Sequence, residues 1–205
     1  MRKQLAFIFF MVGAASMLVM SLHYLQNEVS GILQNKPLAE FGWFRGMFKL
    51  HIASGIIAIT SGPFQFLPRF RAKYPLIHRR IGYVYMFAVL LSSLAGLVIA
   101  QGAMGGLMST LGFSLLAVLW LATLIQAFLT AKRREFPLHR NWMHLNYAIT
   151  FAAITQRTML LFAMIPGIPF MPIYKWSSWL PWMINLGIAW YVLHRSNPQT
   201  LKVSQ

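Results

Sequence analysis

The chain has 205 residues, of which 58% are hydrophobic, and its mean hydropathy of +0.58 is well above that of a soluble globular domain. It carries 18 lysines and arginines against three acidic residues, a formal net charge of +15, and it has no cysteine. The composition therefore favours a membrane protein, and it excludes disulfides, iron–sulfur ligation and thiolate catalysis.

Six apolar stretches are each close to the roughly 20 residues that a helix needs to cross a hydrocarbon core. They are residues 5–25, 47–67, 80–100, 107–130, 143–165 and 178–195. The pattern predicts an all-α, polytopic membrane protein, with six transmembrane helices in one bundle and a single domain over residues 1–205. We expect the signal-like first stretch to remain as a helix, and the tail at 196–205 to be disordered.

The basic residues are distributed unequally between the two sides of this arrangement. If the amino terminus is cytoplasmic, 13 lysines and arginines lie in inner segments and 4 in outer ones, which satisfies the positive-inside rule. Both termini are therefore predicted to be cytoplasmic, in a multi-pass protein of the bacterial inner membrane. Because the bases lie at helix ends, we expect anionic lipid headgroups as their counter-charge and no nucleic-acid partner.

Two outer segments, about residues 26–46 and 166–177, are longer than the other connections. The second contains "PGIPFMPIYKW", whose three prolines we expect to exclude a regular helix. Either segment is a candidate for a lid or for a helix that lies in the membrane interface.

Two similar motifs stand where inner connections meet apolar sequence: "YPLIHR" at 74–79 and "FPLHRNWMH" at 136–144. Proline is tolerated in the first turn of a helix, so each motif predicts a helix start with His78 or His139 in that turn. If the third and fifth spans are neighbours, these two histidines converge. His144 is five residues beyond His139, about 140° around the helix, so we expect only one of the two to face a shared ligand.

This inner site matches bis-histidine haem ligation, which requires imidazoles from facing helices. The hypothesis is a b-type haem whose iron is bound by His78 together with either His139 or His144. Nearby arginines would lie at its propionates. A groove of small residues along the third span would accept the flat ring, although such residues also serve close helix packing, and basic side chains at helix ends also reach to headgroups. The residues of the inner site are His78, Arg79, Arg80, Gly82, His139, Arg140 and His144.

Polar residues follow His139 along one face of the fifth span: Asn146, Thr150 and Arg157. Polar groups in lipid usually face the interior of a bundle, so this stripe is expected to line a cavity or to contact other helices. No carboxylate lies within any span, so the partner of Arg157 is expected among backbone carbonyls, water or a bound anion.

A second, outer pocket is predicted around His51 and Arg157, which lie at similar depths near the outer boundary. Its other members are His23 and Lys49. Arginine and imidazole can hold a quinone oxygen by hydrogen bonds, so this pocket is expected to receive a quinone or another electron partner. The alternative is a histidine and an arginine that bond only to loop carbonyls.

Three segments carry a family resemblance: "HIASGIIAITSGPFQFLPRFRAKYPLIHRRIGYVY", "LGFSLLAVLWLATLIQA" and "HRNWMHLNYAITFAAITQR". Over about residues 45–160 they resemble domain-of-unknown-function family 2306, an uncharacterised family of bacterial membrane proteins. The resemblance implies that His144 is particular to this chain, whereas the family's characteristic positions are His51, His78, Arg79, Gly82, His139, Arg140, Trp142 and Arg157. A weaker, fold-level similarity to cytochrome b561-like bundles implies haem-ligating histidines on consecutive helices, but the span at 107–130 has none.

The leading hypothesis is a membrane protein that binds a redox-active or lipid-like ligand, in its sharpest form haem b electron transfer with a quinone by a membrane oxidoreductase. One alternative is cofactor-free binding or transport of an anionic or lipidic small molecule. Another is an accessory subunit of a larger membrane complex. Cation-coupled transport and hydrolytic triads are not supported, because the spans contain no acidic residue.

Overall fold

The computed structural model describes residues 2–26, 36 and 38–196, and every regular element in this part of the chain is helical. The helices are α1 (Arg2–Gln26), α2 (Gly42–Gln65), α3 (Pro68–Lys73), α4 (Pro75–Ala100), α5 (Leu107–Lys132), α6 (Phe136–Leu161), α7 (Phe170–Ser177) and α8 (Leu180–Ser196). The all-α prediction is confirmed. The predicted disordered tail beyond residue 196 lies outside the described residues, and so do residues 27–35 and 37 of the outer segment at 26–46.

Three helices are long and apolar enough to cross a membrane: Pro75–Ala100, Leu107–Lys132 and Phe136–Met164, the last including a short 3-10 turn. In the described part of α1, Phe7–Ser21 is a shorter apolar segment, and α8 has 17 residues. The arrangement of six spans with both termini inside stays a prediction. α4 and α6 begin earlier than the apolar stretches at 80 and 143, because their first turns are polar and hydropathy does not detect them.

The chain divides into two compact units, Met1–Gly106 and Leu107–Gln205. In the first unit α1 packs against α2, and α2 packs along α4. The buried face of α1 is formed by Ala14, Met17 and Ser21, which are spaced by three and four residues as a helical stripe requires. α3 is a short turn of helix that connects α2 to α4 and packs against α4.

A small hydrophobic cluster closes the end of the first unit that is opposite α3. It is centred on Ala39 and Phe44, which are both buried. A Cβ at Gly102, just after α4, would lie 2.7 Å from the Phe44 ring, so only glycine fits there. Lys36 donates a long hydrogen bond of 3.5 Å to the carbonyl of Gly102, and burial lowers the pKa of Lys36 from 10.5 to about 8.

In the second unit α6 contacts both α5 and α8, and α7 contacts all three of these helices. Tyr174 of α7 is buried against the ring of Phe113 in α5, at 5.9 Å between ring centroids. Asn185 of α8 accepts a hydrogen bond from Thr155 and donates one to the carbonyl of Ala148, so polar side chains join α8 to α6.

α7 corrects the expectation that three prolines exclude a helix from residues 166–177. The helix covers Phe170–Ser177, with Pro169 as its N-cap and Pro172 as its third residue. A proline in the first turn lacks an N–H that would have no partner within the helix, so its cost there is small. The irregular part is confined to the preceding residues, where Gly167 has a φ of +85°.

Candidate functional site

Both proline–histidine motifs begin helices, as predicted. Pro75 is the first residue of α4 and Pro137 is the second residue of α6, which accounts for the one-residue offset between the motifs. His78 and His139 are each the fourth residue of their helix. Their backbone N–H groups donate to the carbonyls of the N-cap residues Tyr74 and Glu135, at 3.0 and 2.9 Å.

The side chain of His139 is held by the neighbouring helix. Its Nδ1 lies 2.8 Å from the carbonyl oxygen of Ala127 in α5. A carbonyl oxygen can only accept, so Nδ1 carries a proton, and in the neutral ring Nε2 carries the lone pair. This is the tautomer and the second contact typical of histidines that bind a metal through Nε2. The ring is partly buried.

His144 makes the same kind of bond within its own helix, since its Nδ1 lies 2.7 Å from the carbonyl oxygen of Arg140. In the neutral ring Nε2 again carries the lone pair. The two histidines of α6 thus have different supports: α5 holds His139, whereas His144 folds back along α6. The sequence alone could not show this difference, because it depends on how α5 and α6 pack.

His51 joins α2 to α4 through a reciprocal pair of hydrogen bonds with Ser92. The His51 Nδ1 donates to the Ser92 carbonyl oxygen at 2.8 Å, and the Ser92 hydroxyl donates to the His51 carbonyl oxygen at 2.9 Å. Ser92 is completely buried, and a Cβ at Gly55 would lie 3.4 Å from its hydroxyl oxygen. The small residues of α4 therefore serve close helix packing here. This is the alternative that the sequence offered to a groove for a flat ring.

The remaining predicted site residues are distributed over both units. His51, His78, Lys49, Arg79, Arg80 and Gly82 belong to the first unit, and His139, Arg140, His144 and Arg157 belong to the second. His23 lies on α1 and its side chain is outside the described part. Arg79, Arg80 and Arg140 are exposed, and His78 and Lys49 are partly buried. The shared iron at His78 and His139, and the pocket at His51 and Arg157, stay predictions.

The polar stripe of α6 contacts other helices, which was one of its two predicted roles. Asn146 is completely buried and donates to the Trp120 carbonyl oxygen and to the Thr123 hydroxyl, both at 2.8 Å. The Trp120 indole donates to the Thr150 hydroxyl at 2.9 Å. Farther along, Arg157 donates to the carbonyl of Ala153 at 3.0 Å, so a backbone carbonyl is one of its partners, as expected.

One buried polar side chain was not singled out from the sequence. Gln65, the last residue of α2, is only 8% exposed, and its Nε2 has no hydrogen-bond partner within the described ranges. Its Oε1 lies 3.3 Å from the position that a Cβ would occupy at Gly82. A lone glutamine at a helix end carries no periodic signal, so only the packing of α2 on α4 reveals it.

Among the residues that the structure describes, no three histidine or acidic side chains are grouped so that they could hold a metal ion. A haem iron makes a smaller demand, because the porphyrin supplies four of its ligands and the protein supplies one or two imidazoles.

A family model described as "Predicted membrane protein (DUF2306)" matches residues 48–193. The match extends the resemblance seen in the sequence through α7 and most of α8. No curated protein and no solved structure matches the chain. The similarity to cytochrome b561-like bundles is therefore not supported by these comparisons.

Proposed function

Because this chain belongs to the DUF2306 family of membrane proteins, we propose that it works within the bilayer, as a six-span protein that holds a redox ligand through histidine. The proposed ligand is a b-type haem with His139 as an axial ligand to iron. The proposed place is the bacterial inner membrane with both termini in the cytoplasm, which agrees with the excess of basic residues in the predicted inner segments.

The observation that carries this proposal is the hydrogen bond between His139 Nδ1 and the carbonyl oxygen of Ala127. The bond fixes the tautomer and directs the Nε2 lone pair away from Ala127, as the second contact of a metal-binding histidine does. Because the acceptor belongs to α5 and not to α6, the orientation of the ring depends on the packing of two helices. Such an imidazole is oriented before any ligand binds, which reduces the entropy that ligation would cost.

The charges near His139 also support an anionic cofactor. Arg133, Arg134 and Arg140 are exposed within a few residues of the ring, and Glu135 is the only acidic residue of the second unit. The amino-terminal end of α6 adds a partial positive charge. Haem propionates would find hydrogen-bond donors and counter-charges here.

The second axial ligand is proposed to be His78, as the sequence suggests, and His144 is the alternative to His139 on α6. His78 occupies the same helical position as His139, whereas His144 has the same Nδ1–carbonyl bond. An electron partner such as a quinone is proposed at His51, where a neutral ring held by Ser92 can exchange a proton through Nε2.

The test is a reduced-minus-oxidised absorption spectrum of the protein purified in detergent after expression with sufficient haem. We expect Soret, α and β bands and about one haem per chain. His139→Gly should lose the haem, and added imidazole should restore part of it by replacing the missing ring. His194→Gly is the matched control, because His194 stacks on Trp190 at the end of α8 and is not a proposed ligand.

Loss of the bands in His78→Gly assigns the second ligand, and retention of the bands in His144→Gly assigns the ligand on α6 to His139. Retention of the full spectrum in His139→Gly, or a purified protein without any chromophore, contradicts the haem proposal. The second result would favour cofactor-free binding of an anionic or lipidic molecule, or an accessory role in a larger membrane complex.

A further inference from the structure

The connection between α2 and α4 carries a dense positive charge. Every cation of this segment is exposed, and no acidic residue occurs anywhere between Glu40 and Glu135. The cations are Arg69, Arg71, Lys73, Arg79 and Arg80. Within the first unit this charge therefore has no carboxylate nearby in sequence to balance it.

Large apolar side chains are interleaved with these cations. Leu76 is 64% exposed, Ile77 45% and Tyr74 41%, and the Lys73 ammonium lies 5.1 Å from the centre of the Tyr74 ring. A surface that alternates basic and apolar side chains fits the headgroup level of a membrane, where the apolar groups enter the acyl region and the cations meet phosphates. The same surface would be unfavourable in water alone.

The amide of Gln65 lies at the end of α2 that leads into this connection. Its Nε2 is buried and has no acceptor among the described residues, while its Oε1 faces Gly82 of α4. Gly82 is three residues after Arg79, so the two residues share one side of the helix. A buried donor without an acceptor is rare in native structures, so an acceptor oxygen that the described residues do not supply is expected here.

We propose that this end of the α2–α4 pair binds the phosphate of an anionic phospholipid. Arg79 supplies the main counter-charge, the other cations extend the field, and Gln65 donates to a phosphate oxygen. The Gln65 donor is reached by rotation of its terminal torsions or through one bridging water. The site lies wholly in the first unit, and Gln65, its buried donor, is not a proposed haem ligand.

Native mass spectrometry of the whole protein in detergent tests the site, with phosphatidylglycerol and phosphatidylcholine as probes. We expect phosphatidylglycerol to be retained at least about tenfold better, in line with charge-assisted contacts. Arg79→Gln and Gln65→Leu should each reduce this preference several-fold. Gln101→Leu is the matched control, because Gln101 is exposed after the other end of α4 and bonds to its own helix at Leu97.

The isosteric Gln65→Glu keeps the side-chain volume if the leucine variant folds poorly, and it should weaken phosphate binding at least as much because it adds a negative charge. Equal retention of the two lipids, or identical retention in Gln65→Glu, Gln65→Leu and Gln101→Leu, would overturn the proposal. Displacement of phosphatidylglycerol by millimolar inorganic phosphate would also overturn it, since the ligand would then be free phosphate.

Discussion

The carbonyl oxygen of Ser178, just after α7, lies 2.8 Å from the position that a Cβ would occupy at Gly112 of α5. The Ser178 hydroxyl is 2.6 Å from the same position and the Trp179 indole nitrogen is 2.8 Å from it. Since one of these neighbours is backbone, the contact cannot be relieved by a side-chain rotation. Gly112 therefore sets how closely the end of α7 approaches α5.

We predict that Gly112→Ala destabilises the protein by about 1–3 kcal/mol, because the added methyl overpacks this contact. Thermal unfolding in detergent measures the change. Gly187→Ala is the control: no atom lies within 4 Å of its Cβ position, and alanine favours the middle of α8, so a gain of about 0.5–1 kcal/mol is expected. Equal effects of the two substitutions would contradict the packing shown at Gly112.

Asn146 should be the most sensitive polar residue of α6. Asn146→Ala removes two hydrogen bonds to α5. The Trp120 carbonyl oxygen and the Thr123 hydroxyl then no longer accept from the Asn146 amide. The expected loss is about 1–2 kcal/mol, near the upper end for hydrogen bonds between membrane helices. Asn141→Ala, at a partly exposed position of the same helix, should change the unfolding temperature little, and a larger effect there would count against this account.

The pair formed by His51 and Ser92 can be tested with neighbouring serines. Ser92→Ala removes the hydroxyl that donates to α2 and should cost about 0.5–1.5 kcal/mol. Ser93→Ala should be nearly neutral, because the Ser93 hydroxyl donates within its own helix, to the carbonyl of Leu90. Unfolding by sodium dodecyl sulfate measures the stability of both variants. A loss of stability in Ser93→Ala as large as in Ser92→Ala would argue against the hydrogen bonds between His51 and Ser92 as a link between α2 and α4.

Lys36 makes stability depend on pH. Its pKa of about 8 in the folded chain is below the ordinary 10.5, so between these values the unfolded chain still holds a proton that the folded chain has released. Stability from this group therefore rises as pH increases from about 8 to 10.5, and it is lowest below pH 8, where a charged ammonium stays buried. Lys36→Met should raise the unfolding temperature at pH 7, and its advantage should shrink above pH 8. If the unfolding temperatures of the original protein and of Lys36→Met change in parallel from pH 7 to 10.5, burial of Lys36 carries no such cost.

The starts of α4 and α6 could be predicted because the preference of proline for the first turn of a helix depends only on the local backbone. Pro75 and Pro137 mark these two starts in the sequence. Helix α7 was missed because a rule about prolines in helix interiors was applied to Pro172, which lies in a first turn. The long helices were recognisable from hydropathy, although their polar first turns were not.

The candidate sites were less predictable than the helices. The sequence identified His51 and His139 as polar residues in apolar surroundings, but it could not show that Ser92 and Ala127 hold them. Those contacts join residues 41 and 12 positions apart, and they depend on the rotation of one helix against another. The buried amide of Gln65 was missed for the same reason.

His78 and His139 have the same place counted from the N-cap residue, although their prolines differ by one position. The position of each histidine on its helix therefore follows from the cap and not from the proline. One extra residue between Glu135 and His139 would turn the ring by about 100° around the helix axis and away from Ala127. Transfer of the proline between the first and second positions would not change this count, so the number of residues between the cap and the ring, rather than the place of the proline, sets the side of the helix on which the ring lies.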